Sequence, residues 1–264
     1  MMNKHVDCAV NSLQQFLTFV RQDQPDIATF IYRGQVSRKK TREGLELPTY
    51  LLPSLFRQGK GVGSGSLADL EIQLLTDFRR EAPAYLTISP GTDIEWMALA
   101  QHHGLPTRLL DWSTNPLVAL FFAVEQGNQI YDSRVYKGKV YDTQMYDYND
   151  GTQLNPEAEP FKLYIPSYID RRLEAQESCF TLHPLIDWND RDRFLDHFQQ
   201  VTPAKLGVTT CLVPKDCFAT IKAELSEVGI SYKSLFPGLD GICRSIAYRK
   251  SPERAVLSAP WPQE

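Results

Sequence analysis

Near the N-terminus, Ala9, Leu13, Phe16, Leu17 and Val20 fall on one face of residues 9–21 and predict an amphipathic first helix. A β-branched and aromatic run from Ile27 to Arg33, bounded by Pro25 and Gly34, predicts a strand. Gly59, Gly61, Gly63 and Gly65 then alternate without a preceding strand or the Gly-x-Gly-x-x-Gly spacing, which favours a mobile connection over a phosphate cradle. Ser66 opens a second helix with Leu67, Leu70, Leu74 and Phe78 on one face, stopped by Pro83. Thr92 and Glu95 have capping-box spacing before a third helix, which Gly104 and Pro106 end. Thr107–Trp112 is a short strand, and Asn115-Pro116 starts a fourth helix that runs to Glu125. That helix is apolar on nearly every side and belongs deep in the core.

From Tyr131 to Leu182 the pattern turns β-rich, in the runs VYKGKVYDTQMY, FKLYI and SCFTL. A short helix over Arg193–Gln199, a strand over Thr209–Val213 and a helix over Asp216–Val228 follow. No internal repeat occurs, and no linker is long enough to require two domains. The expectation is one α+β domain over residues 1–264, with a mixed sheet core and flanking helices.

Composition narrows the class without naming a function. In 264 residues, 28 Lys+Arg stand against 32 Asp+Glu, and the 42% hydrophobic content suffices for a sizeable core. The longest apolar run, Leu117–Val124, is far short of the ~20 residues a membrane helix needs. Asn11, Ser12, Gln14 and Gln15 interrupt any signal-peptide core, so a cytoplasmic location without membrane contact is expected. Cys8, Cys179, Cys211, Cys217 and Cys243 never form a Cys-x-x-Cys and read as buried free thiols, with no metal site. A net charge of −4 argues against a general polyanion binder. By position it is uneven: Arg33, Arg38, Lys39, Lys40 and Arg42 put +5 into ten residues, and the rest of the chain must carry −9. Such a stretch can attract RNA or DNA phosphates, and Tyr131, Tyr136, Tyr141, Tyr146 and Tyr148 could stack bases; a solvated loop and a tyrosine-rich sheet face explain the same residues.

The densest chemical signal is Ile94–Val124. A capped helix delivers His102 and His103 to its C-terminus, and a Gly-Leu-Pro turn leads to a strand ending in Asp111-Trp112-Ser113-Thr114. Polar residues between a strand end and a helix N-terminus sit where outward N–H groups can hold an anion. The histidines could equally cap helix carbonyls, and Asp111 could accept turn N–H groups or pair with Arg108.

Tyr32-Arg33-Gly34-Gln35, Leu52-Pro53-Ser54-Leu55-Phe56-Arg57 and Gln101-His102-His103-Gly104-Leu105-Pro106-Thr107-Arg108-Leu109-Leu110-Asp111-Trp112 together resemble the bacterial FRG domain. Arg172 and Gln176 ahead of Phe180-Thr181, then Leu235-Phe236-Pro237 and Leu239-Asp240-Gly241, extend the resemblance over about residues 28–245. A weaker resemblance points to mono-ADP-ribosyltransferases and would imply their fold. In those enzymes an arginine holds NAD, a Ser-Thr strand shapes the nicotinamide site and a late glutamate stabilises the ribosyl cation. By that resemblance Arg33, Gly34, His103, Asp111, Ser113 and Thr114 would bind NAD, and Glu177, with Glu174 behind it, would be catalytic together with Arg33. A guanidinium suits a pyrophosphate, and a carboxylate suits an oxocarbenium ion.

The residues around Glu174 and Glu177 depart from a clean Glu-x-Glu or Gln-x-Glu pattern, so both could be solvent-facing charges. Arg33 could instead be a structural ion pair, even with Asp111, and Ser113-Thr114 a plain helix cap. The resemblance implies a toxin or anti-phage effector moving ADP-ribose from NAD to RNA, DNA or protein; the basic stretch favours RNA, with Arg38, Lys39, Lys40 and Arg42 as the nucleic-acid contact. A toxin would also imply a neutralising partner, which nothing in the sequence identifies. The alternative is a non-enzymatic nucleotide- or partner-binding module of a defence system. Hydrolase chemistry on His102 or His103 with Asp111 ranks last, because no nucleophile stands in context.

Overall fold

The computed structural model describes residues 8–22, 28–36, 51–57, 66–125, 131–141, 145, 162–167, 170–186 and 190–251. Arg38, Lys39, Lys40, Arg42 and the alternating glycines lie outside the described residues. The strands are Cys8–Ala9 (β1), Thr29–Val36 (β2), Leu109–Ser113 (β3), Ser133–Val140 (β4), Lys162–Tyr164 (β5), Ser178–Leu182 (β6) and Thr209–Val213 (β7). They form a seven-stranded sheet in the order β1-β7-β4-β2-β3-β6-β5. The β1–β7 pair is parallel and the other strand pairs are antiparallel, so the expected mixed sheet core is present.

The flanking helices are Leu13–Arg21 (α1), Leu67–Glu81 (α2), Asp93–His102 (α3), Pro116–Glu125 (α4), Arg171–Ala175 (α5), Arg191–Asp196 (α6), Thr202–Lys205 (α7), Phe218–Glu227 (α8), Tyr232–Leu235 (α9) and Leu239–Arg249 (α10). Reciprocal capping boxes start α2 at Ser66–Asp69 and α3 at Thr92–Glu95, which fixes both starts locally. The first helix is shorter than expected, because Ser12 caps it and Ala9 pairs with Leu212 in the sheet. Among the described residues no helix is long and apolar enough to cross a membrane. All five cysteines are free: Cys179 and Cys211 are buried as expected, whereas Cys243 is exposed.

The apolar α4 buries Val118, Leu120, Phe121 and Val124 against α1, α8 and Tyr32 of β2. It lies directly on β2 at Gly34. A Cβ there would overlap the Ala119 carbonyl and come within 2.7 Å of the Ala123 amide nitrogen. Only glycine lets the helix backbone come this close to the strand, and Ala119 and Ala123, one turn apart, keep that helix face narrow. Ile31, Leu110, Trp112, Tyr136 and Cys179 form a separate apolar cluster. Tyr136 is therefore core rather than a base-stacking surface; Tyr131 and Tyr141 are at least partly exposed, and Tyr146 and Tyr148 lie outside the described residues.

Beneath β3 and β6 runs a buried polar chain. Trp112 Nε1 donates to Thr181 Oγ1 (3.0 Å), Thr181 Oγ1 lies 3.0 Å from His183 Nε2, and His183 Nδ1 lies 3.3 Å from His197 Nε2. Burial lowers His183 well below the usual imidazole range and His197 to about 4. Both are neutral when folded near pH 7, whereas an unfolded histidine gains its proton at about 6.5. The unfolded chain thus binds more protons between about pH 6.5 and 4, and stability must fall as pH drops through that window. Melting temperatures measured from pH 7.5 to 4 should decline, with a shallower slope in His197→Gln; an unchanged slope would remove the pair as its source.

Candidate functional site

The two halves of the sheet meet at one register pair, Tyr32 opposite Ser113, whereas β2 and β4 stay paired from Thr29–Val140 to Val36–Ser133. Arg33 stands beside this junction. Its Nη1 donates to the Asp111 carbonyl oxygen at 2.7 Å and lies 3.7 Å from Asp111 Oδ2. The Arg33 side chain is 12% exposed, against 45% for Asp111. Burial lowers the pKa of Arg33, and the Asp111 carboxylate opposes that shift. Gln101 Nε2 adds a 2.9 Å bond to Asp111 Oδ2, fixing the carboxylate from the end of α3. Of the pairings open to Asp111, the one with Arg33 forms. The one with Arg108 does not, because Arg108 pairs with Glu71: its Nε lies 3.1 Å from Glu71 Oε2 and its backbone N–H donates to Glu71 Oε1.

Two residues along β3, about 6.6 Å at strand rise, Ser113 Oγ donates to the Gln176 carbonyl (2.7 Å) and accepts from the Asn115 amide (3.0 Å). Asn115 Oδ1 accepts from Leu117 N, so Asn115 caps α4 as the sequence implies. Its Nδ2 donates to Glu177 Oε1 at 2.8 Å, and Thr114 Oγ1 lies 3.4 Å from Glu177 Oε2. The Thr114 amide also donates to the Glu177 carbonyl. Glu177 is thus seated on the Ser113–Asn115 turn, with its side chain exposed. It occupies the turn before β6, not a strand as the transferase pattern would have it, and Glu174 lies on α5. The Glu177 φ of 44° is left-handed, the only such non-glycine among the described residues. It follows the Gln176 C-cap of α5, where glycine is the usual residue. A glutamate there carries backbone strain that its surroundings must hold.

His102 and His103 end α3 as expected, their rings edge-to-face at 5.3 Å. His102 Nε2 is 3.3 Å from Asp170 Oδ1, and burial, reinforced by Arg172, lowers its pKa to about 4. His103 is exposed, and Gly34 lies against α4. Sequence reasoning gave no role to Glu125, Arg172, Phe236 or Arg244, which border the same site. Arg172 Cζ sits 4.7 Å from the Phe236 ring centre and Arg244 Cζ 5.4 Å, while Arg244 Nη1 is 3.6 Å from Glu125 Oε1. Among the described residues, no cluster of three or more His, Cys, Asp or Glu is placed to hold a metal ion.

Residues 28–131 match the family model of the FRG domain. No curated protein and no solved structure matches the chain. The matched FRG segment contains β2, α2, α3, β3 and α4, and with them Arg33, Gly34, Gln101, Asp111, Ser113 and Asn115. Its match stops short of Arg172, Glu177, Phe236 and Arg244, a narrower span than the resemblance over 28–245.

Proposed function

We propose that this FRG-domain protein is an ADP-ribosyltransferase-like enzyme, with an ADP-ribosyltransferase-like arrangement of Arg33, Ser113-Thr114 and Glu177. The observation that carries the reading is Glu177: a strained backbone at a helix end presents an exposed carboxylate, fixed by Asn115, next to Ser113-Thr114. Backbone strain held in place by hydrogen bonds is characteristic of functional sites. In the reaction the C1′–nicotinamide bond breaks, nicotinamide leaves with the electron pair, and the ribose becomes an oxocarbenium ion. The Glu177 carboxylate stabilises that cation until an acceptor atom attacks C1′ and sheds its proton. The Arg33–Asp111 pair braces β3 behind Ser113, while His103 and Thr114 line the approach for NAD; Gly34, covered by α4, acts only by letting that helix seat on β2.

The acceptor is a nucleic acid, RNA before DNA, drawn by Arg38, Lys39, Lys40 and Arg42; a protein acceptor is the other outcome. The setting is a cytoplasmic toxin or anti-phage effector with a neutralising protein partner. Labelled NAD, incubated with the protein and with RNA, DNA or protein fractions of a cell extract, should give label in RNA that Arg33→Ala abolishes. No transfer and no NAD loss with the wild-type protein would overturn the reading.

A second reading rests on the missing Glu-x-Glu pattern and on the turn, not strand, location of Glu177. It is a non-enzymatic nucleotide-binding module. Calorimetry separates the two, since tight nucleotide binding without nicotinamide release supports the module.

A further inference from the structure

The Arg33 guanidinium is engaged by the Asp111 carbonyl and carboxylate, so the charge that would meet a diphosphate at this site has to come from elsewhere. Arg172 and Arg244 reach the Phe236 ring from two helices, α5 and α10. Phe236 is itself held edge-to-face by Phe122 at 6.1 Å and flanked by Tyr232 at 6.2 Å. Gln176 Nε2 donates to the Leu235 carbonyl at 3.0 Å, which joins the turn carrying Glu177 to the residue before Phe236.

The neighbouring acids leave Arg172 available. Glu125 pairs with Arg244, and Asp170 Oδ1 accepts the Arg172 backbone N–H at 2.7 Å rather than its side chain. Among the described residues no carboxylate lies within 4 Å of the Arg172 guanidinium, and its Nε is buried without a hydrogen-bond partner. Arg244 is 56% exposed, so an incoming anion can draw it from Glu125 without opening the core. Two guanidiniums oriented by one aromatic ring offer paired donors to neighbouring phosphates.

We infer that Arg172 and Arg244, on the Phe236 platform, form a clamp for the phosphoanhydride of a nucleotide. The inference rests on the transferase reading above and assigns the diphosphate to these two residues instead of Arg33. Titration of ADP-ribose, inorganic pyrophosphate and uncharged adenosine into wild type, Arg172→Gln and Arg244→Gln tests it. ADP-ribose and pyrophosphate should bind wild type at least about tenfold more tightly than either variant, with adenosine binding unchanged. The exposed Arg244 keeps the test decisive if Arg172→Gln fails to fold.

Equal affinities in the variants, or no binding of either probe to wild type, would overturn the clamp. Variants that bind ADP-ribose like wild type and still transfer would remove the clamp while leaving the transferase reading. Pyrophosphate binding lost in the variants, with no transfer by wild type, would do the reverse.

Discussion

Arg108→Ala should melt roughly 10 °C below wild type. Arg108 and Glu71 are both buried, at 1% and 6% side-chain exposure, and are joined at 3.1 Å, with the Glu71 carboxylate also accepting the Arg108 amide. Removing one partner of such a pair costs about 3–5 kcal/mol, because the other charge stays buried and unpaired. For a chain of this size each kcal/mol is worth about 2–4 °C. Burial already raises the pKa of Glu71, with the Arg108 charge and its amide opposing that shift. Without Arg108 the carboxyl titrates higher still, so the loss should shrink as pH falls towards an unfolded carboxyl value of about 4.3. Glu71→Ala should be comparably unstable at neutral pH. Thermal unfolding at pH 7 and pH 5 measures both variants; a melting point within 2 °C or so of wild type would contradict the pairing.

The second large effect concerns Glu177. Glu177→Gln should reduce nicotinamide release and ADP-ribose transfer by about 10²–10³, the range for loss of one preorganised electrostatic group at a reacting centre. NAD binding should change little, since the carboxylate acts on charge that develops only in the transition state. Glu177→Gly separates chemistry from folding. Glycine relieves the left-handed φ of 44°, a strain of about 1–2 kcal/mol, against the loss of an exposed hydrogen bond to Asn115. Its melting temperature should therefore equal or exceed that of wild type while transfer is lost. Transfer at the wild-type rate in either variant would exclude Glu177 as the catalytic carboxylate.

Much of the frame was legible in the sequence because its signals are local. Thr92–Glu95 and Asn115-Pro116 announce helix starts through their own backbone hydrogen bonds, and α3 and α4 begin where those residues stand. Gly34 carries a subtler message: it records a helix crossing that only the tertiary structure reveals. The short α5 and α9 escaped because four or five residues carry little hydrophobic periodicity; α10 went unread although Leu239, Ile242 and Ile246 recur at helical spacing, and in the structure these three are exposed rather than core. Glu71 could have been found. It sits four residues after Leu67 and three before Leu74, so an acid interrupts the apolar stripe of α2 and requires a buried partner.

At the site, Arg33, Asp111, Ser113, Thr114 and Glu177 could be named because motifs carry them. Their division of labour could not. Whether Asp111 meets Arg33 or Arg108 depends on α2 delivering Glu71 to Arg108. The Arg172–Phe236–Arg244 group joins residues up to 72 positions apart on three segments, and no spacing rule links them.

The most direct measurement is a crystal structure of the protein with NAD. The diphosphate should lie on Arg172 and Arg244, with the nicotinamide ribose beside Ser113-Thr114 and its C1′ within about 3.5 Å of the Glu177 carboxylate, the distance of a near-attack geometry. NAD bound away from the Ser113–Glu177 turn, or absent at saturating concentration, would contradict it.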